Sequence, residues 1–248
     1  MRYAKKHQIR HSLRVFYGAT GLVVLVFVLT FGIGLSLLYY NKSEFAQYWH
    51  GRRNQFGDFK LVVVGDSISQ SLGASKPEYG LAGLLAAQIE QTTGRTVQVI
   101  NLSKSGATTK EALSMQAPQL TKFAPYADLV VLEIGANDMR QYNADTFAKN
   151  YEQLLQTLPP GKSLATDLPV FLGHNNLTRQ AEAANFTVHA LAKRYQVPVA
   201  PVYAALQQKI TTTPWPWICA SDLFHPNDRG YRVWYDATWP VAAKVIRH

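Results

Sequence analysis

The feature that most restricts this chain is an unbroken stretch of 26 residues without a charged side chain, from Val15 to Tyr40. A helix of that length, at about 1.5 Å per residue, exceeds the roughly 30 Å hydrocarbon core of a bilayer. Aromatic pairs stand at both ends, Phe16 with Tyr17 and Tyr39 with Tyr40, as is common at membrane interfaces. The sequence therefore predicts a transmembrane anchor at residues 15–40.

The charges beside this stretch predict its orientation. The chain has 25 Lys and Arg against 16 Asp and Glu, and residues 1–14 hold five of the basic residues and no acid. Basic residues next to a membrane span favour the cytoplasmic side, so 1–14 is predicted to be a cytoplasmic tail and the rest of the chain extracytoplasmic. The other 20 basic and 16 acidic residues leave only +4, and the overall +9 therefore does not indicate a nucleic-acid partner.

A cleavable signal peptide is the alternative interpretation of the same stretch. Signal peptides have a shorter apolar region, about 7–15 residues, followed by a small-x-small cleavage site. The one passable site here, Gly34 to Ser36, falls inside the apolar run. An uncleaved anchor is therefore favoured, although the sequence does not decide whether it is ever cleaved.

Residues 41–58 have no sustained hydrophobic period and are predicted to form a juxtamembrane linker. Their aromatic and basic side chains suit either lipid headgroups or an ordinary linker; these are Tyr48, Trp49, Arg52 and Arg53.

From residue 59 to 248, short apolar runs alternate with longer amphipathic stretches, which predicts one α/β domain. Continuous apolar runs are typical of parallel strands covered on both faces. Strands are predicted at 61–64, 96–100, 129–134, 169–172 and 197–200, with helices at 80–93, 109–118, 144–157 and 177–195 and from 227. A parallel five-stranded sheet between two helical layers is the expected architecture, preceded by one transmembrane helix.

Small and polar residues follow several of these strands, where a doubly wound sheet binds its ligands. The four segments are Gly65-Asp66-Ser67, the loop containing Gly106, Gly135-Ala136-Asn137-Asp138, and Asp222-Leu223-Phe224-His225. Four such segments at one edge are a far stronger signal than any one alone.

The residue types indicate nucleophilic catalysis. Ser67 stands at a strand-to-helix turn, and a serine hydroxyl becomes a good nucleophile when a base takes its proton. His225 is the natural base, and Asp222 can orient its ring and stabilise the imidazolium. The amides of Ser67 and Gly106 and the side-chain amide of Asn137 are available to stabilise an oxyanion.

These segments resemble the four blocks of the SGNH/GDSL family of esterases and lipases. Gly65-Asp66-Ser67, Gly106, Gly135-x-Asn137-Asp138 and Asp222-x-x-His225 match them in order and spacing, over about residues 60–235. The resemblance implies a flavodoxin-like hydrolase fold, acyl-ester hydrolysis, and no metal or cofactor. It does not indicate the substrate.

Three further residues are candidates for the substrate pocket. His174 follows the predicted fourth strand, and Trp215 and Trp217 lie on a Pro-rich loop before the histidine segment. Structural roles are equally compatible with all three. The single cysteine, Cys219, excludes an intrachain disulfide and a cysteine-rich metal site.

The sequence thus predicts a membrane-anchored, extracytoplasmic serine esterase that forms an acyl-enzyme. Its partners would be the membrane, through residues 15–40, and a small-molecule, lipid or acylated polysaccharide ester. Two alternatives stay open: an acyltransferase or deacetylase acting on envelope polysaccharide, and a non-catalytic envelope-binding module.

Overall fold

The computed structural model describes residues 2–247. The side chains of residues 2–16, 18–19, 27 and 37–39 lie outside the described residues. The predicted charges of the tail at 1–14 and the interface aromatics Phe16 and Tyr39 therefore lie outside them as well.

The domain is built on a five-stranded sheet in which every neighbouring pair is parallel. The strand order is β2-β1-β3-β4-β5, the doubly wound order typical of flavodoxin-like folds. This confirms the predicted α/β architecture. The strands are β1 (Phe59–Gly65), β2 (Val97–Asn101), β3 (Leu129–Glu133), β4 (Ser163–Thr166) and β5 (Val199–Ala200).

The prediction of the fourth strand at 169–172 is wrong, because Ser163–Thr166 forms β4 instead. Val130, Val131 and Leu132 of β3 pair with this shorter and less apolar segment. Pro169 has no amide hydrogen for a strand ladder, and a central position would leave that bond unmade. Residues 169–172 are instead a loop beyond the carboxyl edge, where their apolar side chains are free to line a cavity.

The helices cover both faces of the sheet. Their bounds are α1 (Arg2–Arg52), α2 (Leu81–Thr93), α3 (Thr109–Glu111), α4 (Ala117–Phe123), α5 (Ala144–Gln156), α6 (Asn175–Arg194), α7 (Val202–Ile210) and α8 (Asp228–Val245). A π-helical turn at Ala112–Gln116 joins α3 to α4, where the sequence predicted one regular helix. Helix α7 was not predicted, since it follows β5 with only Pro201 between them.

Alternate residues of β1 separate the two halves of the core. Leu61 and Val63 pack toward α2, α7 and α8, while Val62 and Val64 pack toward the helices of the other face. All four side chains are at most 1% exposed. Burial on both faces explains why the strand is a continuous apolar run.

Helix α1 contains the one stretch of the described residues, Thr20–Arg52, that is long and apolar enough to cross a membrane. This criterion concerns length and composition alone, and a signal sequence also meets it. The side chains from Leu22 to Val26 are all more than half exposed, so the domain does not cover this part of the helix.

Residues 41–58, predicted to form a juxtamembrane linker, are helical as far as Arg52, because α1 continues to that residue. Phe45 and Trp49 are buried against the domain, and the Trp49 Nε1 donates a hydrogen bond to the Gln70 carbonyl at 3.2 Å. Phe45 and Trp49 are four residues apart and so lie on one face of the helix. Two such residues are enough for this packing, which is why the sequence shows no sustained hydrophobic period here.

The residues after the helix are tied down as well. The Arg53 guanidinium donates to the Asn101 carbonyl at 3.0 Å and to the Gln119 Oε1 at 3.1 Å. Gln98 in turn donates to the Arg53 carbonyl at 2.7 Å. The segment is therefore part of the folded domain.

Replacing Trp49 by alanine is expected to lower the free energy of unfolding by about 3–5 kcal/mol, because a buried indole is removed from a packed core. The measurement is denaturant unfolding of the full chain in detergent. Phe56→Ala is the matched control, since that ring is 85% exposed, and its effect should stay within about 0.5 kcal/mol. Equal effects of the two variants would contradict the packing of α1 on the domain.

Candidate active site

The site begins in the turn that follows β1. Asp66 accepts a hydrogen bond from the Ile68 amide at 3.0 Å, so this carboxyl group holds the turn through the backbone. The turn holds Ser67 at the carboxyl edge of the sheet with only 7% of its surface exposed. The hydroxyl is thus shielded from bulk water and faces the other loops of the same edge.

Three side chains form a hydrogen-bonded chain at this edge. The Ser67 Oγ lies 2.9 Å from the His225 Nε2, and the His225 Nδ1 lies 2.5 Å from the Asp222 Oδ2. With the proton on Nδ1, the ring donates to the carboxylate and accepts from the serine. The sequence separation of 158 residues between Ser67 and His225 is closed by the fold.

The Asp222 carboxylate is held in place by the backbone of its own loop. Its Oδ1 accepts hydrogen bonds from the amides of Phe224 and His225, both at 3.0 Å. Burial acts to raise the pKa of Asp222, but the hydrogen bond and charge of His225 and these two amides outweigh it, and the pKa is lowered. The group is therefore an ionised partner suited to orient an imidazole.

The loop after β2 brings a second backbone donor to the site. Gly106 has a φ of +83°, in the left-handed region that favours glycine. Gln70, in the turn of Ser67, fixes this loop by accepting from the Ser105 amide and hydroxyl and donating to the Ser103 carbonyl. Among the described residues, the amides of Ser67 and Gly106 have no hydrogen-bond acceptor.

Asn137 reaches the same place from the loop after β3. Its Nδ2 donates to the Asp66 Oδ2 at 3.1 Å and to the Ala107 carbonyl at 3.0 Å. Both amide hydrogens thus face protein acceptors, so a bond to a substrate oxygen requires that one of them be shared. The neighbouring Asp138 accepts from the amide and hydroxyl of Thr109, which ties this loop to α3.

Two carboxyl groups are buried at the serine turn (residues 66–70): Asp66 within the turn and Glu133 at the end of the neighbouring strand β3. Burial raises the pKa of Asp66 to about 6, and burial together with the nearby Asp66 raises the pKa of Glu133 well above its ordinary value. The Glu133 Oε2 accepts from the Ser69 amide at 3.1 Å and from the Ser69 hydroxyl at 2.8 Å. Strongly raised pKa values of buried carboxyl groups concentrate at functional sites, where burial and neighbouring charges are arranged for chemistry as well as for stability.

The π-helical turn after α3 also serves this turn. It carries Gln116, whose Oε1 accepts from the Gly65 amide at 2.9 Å and whose Nε2 donates to the Gly65 carbonyl at 2.8 Å. A side chain thereby replaces a strand neighbour at the last residue of β1. Such turns are frequent at functional sites, and here the turn places a rigid clamp directly before the Asp66–Ser67 pair.

An apolar cavity of about 40 Å³ adjoins Ser67. It runs from the serine toward the core between the 169–172 loop, α7 and α8. Its apolar lining consists of Ile68, Pro169, Val170, Phe171, Leu172, Leu206, Ile218, Cys219, Phe224, Pro226 and Trp234. At roughly 10–15 Å³ for each water-sized group, the space holds about three such groups.

A larger and polar groove of about 540 Å³ lies on the other side of Asn137. It is lined by backbone and side chains that hydrogen-bond readily, namely Gly106, Thr108, Lys110, Glu111, Asp138, Arg140, Gln141, Asn143, Thr146 and Asn150, together with Phe147. The two spaces meet at Asn137, so a bound ester can place chemically different parts on its two sides.

The structure does not bring the three predicted pocket residues into the apolar cavity. His174 is exposed at the start of α6 and contacts the edge of the Phe224 ring, with centroids 5.8 Å apart. Trp215 is half-buried, and Trp217 is 61% exposed. Their neighbours Ile218 and Cys219 line the cavity instead.

Sequence reasoning missed the residues that support the site from below. Glu133 stands inside a strand, and Gln70 and Gln116 lie in turns with no catalytic motif of their own. The one available signal was an acidic residue in the otherwise apolar run Leu129–Glu133. Among the described side chains, no group of three or more His, Cys, Asp or Glu is arranged to hold a metal ion.

Comparison with known proteins places the chain among ester hydrolases. A model of the GDSL-like lipase/acylhydrolase family matches residues 63–233, which is more than two thirds of the chain. A search of curated proteins found no match.

Solved structures show the same fold. The structure of TesA matches with 25% identity and a TM-score of 0.62, covering 75% of this chain and 99% of that one. The α/β hydrolase LAE5, from the metagenome of Lake Arreo in Spain, matches with 20% identity and a TM-score of 0.62, covering 78% and 99%. The acetylxylan esterase Axe2 from Geobacillus stearothermophilus matches with 18% identity and a TM-score of 0.61, covering 74% and 94%.

The raised pKa of Asp66 predicts a pH dependence of stability. The Asp66 carboxyl group binds its proton more tightly in the folded chain than in the unfolded chain. Its contribution to the free energy of unfolding is therefore present below pH 3.8 and is lost as pH rises through about 6. Asp66→Asn removes the titration. The free energy of unfolding of the variant, relative to the parent, should therefore rise between these pH values by at most about 1.4 kcal/mol per pH unit.

The measurement is urea unfolding at a series of pH values. Asp145→Asn, which removes an exposed carboxylate at the start of α5, controls for the loss of one charge. A difference between Asp66→Asn and parent that stays constant with pH would show that Asp66 does not titrate as described.

Proposed function

The chain belongs to the GDSL-like lipase/acylhydrolase family and is an ester-hydrolysing serine hydrolase, and on this premise we propose that it is a membrane-anchored, extracytoplasmic esterase. In this proposal Ser67 is the nucleophile, His225 the general base and acid, and Asp222 the residue that orients the histidine. The observation that carries it is the chain of hydrogen bonds of 2.9 Å and 2.5 Å from Ser67 through His225 to Asp222.

The reaction follows from that chain in two steps. The Ser67 Oγ bonds to the ester carbonyl carbon while its proton passes to the His225 Nε2, and the same proton then goes to the departing alcohol oxygen. Water next attacks the acyl-enzyme and gives a proton to His225, which returns it to the Ser67 Oγ as the acid leaves. Asp222 stabilises the imidazolium formed in each step.

Each step passes through an oxyanion that needs preset donors. The amides of Ser67 and Gly106 support this role, because neither has another acceptor among the described residues. Asn137 is the third proposed donor, and Asp66 and Ala107 hold its amide between the serine turn and the Gly106 loop. Sharing the hydrogen that faces Asp66 would let it serve the oxyanion.

The anchor and the location are supported by the N-terminal part of the chain. The uncharged run at 15–40 is long enough to span a bilayer, and its side chains from Leu22 to Val26 are all more than half exposed. The five basic residues of 1–14 favour a cytoplasmic N-terminus, which supports a hydrolase domain on the other side of the membrane.

The two spaces that meet at Asn137 support a division of the substrate. The apolar cavity of about 40 Å³ suits a short acyl group, and the polar groove of about 540 Å³ suits a hydroxyl-rich alcohol. The polar groove also favours a second candidate function, deacetylation of an envelope polysaccharide or acyl transfer to it. Measuring free acid against acylated sugar in the presence of sugar acceptors separates hydrolysis from transfer.

Ser67→Ala is expected to lower kcat/KM for p-nitrophenyl acetate by at least about 10³-fold, because the acyl-enzyme can no longer form. His225→Ala should lose nearly as much, since the catalytic groups act as a unit. Ser114→Ala, on the π-helical turn, is the matched control and should keep the parent rate. Parent-like hydrolysis by Ser67→Ala would refute the proposed nucleophile.

The small cavity predicts a preference for short acyl chains. The kcat/KM for p-nitrophenyl butyrate should exceed that for the octanoate by at least about tenfold, because four more carbons do not fit. Leu172→Ala enlarges the cavity and should narrow this ratio, whereas Leu191→Ala removes an equally half-buried leucine away from it. The same ratio in all three proteins would show that this cavity does not hold the acyl group.

A further inference from the structure

One face of α1 packs against the hydrolase domain from Arg52, at the C-terminal end of the helix, as far back as Gly34. Its half-buried and buried residues recur at helical spacing, at Gly34, Asn41, Phe45, Trp49 and Arg52. A Cβ atom at Gly34 would lie 2.7 Å from the Cβ of Ser221, so the helix backbone is in close contact with that residue. Ser221 directly precedes Asp222, and the helix therefore touches the loop that carries two of the proposed catalytic residues.

The two ends of this face show which way the domain is turned. Trp49 contacts Gln70 in the serine turn, and Gly34 contacts Ser221 in the loop at 221–225 (the histidine loop). Fifteen residues separate them, about 22 Å of helix. From its C-terminal end, the helix thus passes the carboxyl edge of the sheet and leaves the domain beyond it. The edge with the active site faces the part of the helix that is proposed to enter the membrane.

The length of the remaining apolar helix sets the distance to the bilayer. The uncharged run at 15–40 is longer than the roughly 30 Å hydrocarbon core. Counted from Val15, its first 19 residues, 15–33, already form about 28 Å of helix, and residues 34–40 continue beyond the core. Gly34 is therefore placed where the helix leaves the hydrocarbon. Because Ser221 contacts the helix at Gly34, the histidine loop lies at the bilayer surface.

We propose that the segment Trp215–His225 rests on the outer surface of the bilayer and that the enzyme takes its ester from the head group of a membrane lipid. This inference rests on the proposed anchor and esterase activity and adds the origin of the substrate. The lipid chain stays in the bilayer, the polar groove receives a hydroxyl-rich head group, and the apolar cavity receives its short acyl group.

The rim of the site has side chains suited to this surface. Leu223 is 40% exposed and has a φ of +54°, a strained conformation for leucine that turns an apolar side chain outward between Asp222 and Phe224. Trp217 is 61% exposed, with the Arg229 guanidinium 5.7 Å from its ring centroid. Tryptophan at the interface and arginine beside lipid phosphates are favourable arrangements at a membrane.

The first experiment lifts the domain away from the bilayer. Seven alternating alanine and glutamine residues inserted between Ile33 and Gly34 add about 10 Å of helix and, at nearly two turns, preserve the packed face. The same insertion between Arg2 and Tyr3 is the matched control, because it lengthens the tail and leaves the domain at its original height. Both full-length proteins are reconstituted in vesicles of phosphatidylcholine and phosphatidylglycerol.

Three substrates separate the possible outcomes: p-nitrophenyl acetate, a soluble acetylated methyl glucoside, and an acetylated hexadecyl glucoside embedded in the same vesicles. The lifted variant should keep the parent rates on the two soluble esters and lose at least about tenfold in rate on the embedded one, since it no longer shares the surface with its substrate. The tail control should keep all three rates. An unchanged rate of the lifted variant on the embedded ester would overturn the inference.

Failure of the proposed function gives a different result, namely a parent protein that hydrolyses none of the three esters. A second measurement is independent of activity. In vesicles of brominated phospholipid, the fluorescence of Trp217 should be quenched, so Trp217→Phe should reduce the quenched fraction more than Trp239→Phe, which replaces a half-buried indole of α8 outside the segment Trp215–His225. An equal reduction, or none, would show that the rim does not reach the lipid.

Discussion

Parallel pairing of β1 with both β2 and β3 brings the loops that follow these strands to one edge of the sheet. The serine turn, the Gly106 loop and the Asn137 loop each follow one of three adjacent strands, β1, β2 and β3. The fold therefore brings them together without long connecting segments. The histidine loop arrives from outside the sheet, just before α8. Its bridge between Cys219 and Pro226 holds the Asp222–His225 segment in a closed turn above Ser67.

The supporting contacts of this edge are polar and buried, which is uncommon in a domain core. Gln116 replaces a strand neighbour at Gly65, Gln70 fixes the Gly106 loop, and Glu133 holds Ser69. Burying two carboxyl groups destabilises the folded chain, since each is driven toward its neutral form. The turn that carries Ser67 is thereby positioned by specific hydrogen bonds, which define one geometry more strictly than apolar packing does.

Helix α1 joins this site to the membrane-length segment without a flexible connection. Trp49 and Phe45 belong to the packed domain, and the same helix continues toward Gly34 and the exposed apolar residues before it. A rigid connection of this kind determines both the height and the orientation of a domain, whereas a flexible linker determines only its maximum distance. The proposed origin of the substrate depends on this difference.

Much of this protein could be predicted from its sequence, because the relevant signals are local. The continuous apolar run of β1 predicts a buried parallel strand, and the uncharged residues 15–40 predict a membrane-length helix. Ser67, His225 and Asp222 are recognisable as a set because their segments match the blocks of one family in order and spacing. The position of the fourth strand and the packing of residues 41–52 as a helix on the domain could not be predicted. Both Ser163–Thr166 and residues 41–52 take their structure from the partners on which they pack.

The sequence alone therefore determined the fold class, the apolar segment and the residues proposed to perform ester hydrolysis. Only the tertiary structure decided that Glu133, Gln70 and Gln116 support the serine turn, that Ile218 and Cys219 rather than Trp215 and Trp217 line the apolar cavity, and that Gly34 meets Ser221. The physical reason is that propensity and hydrophobic period act between near neighbours in the chain, whereas these contacts join residues brought together only when the layers pack.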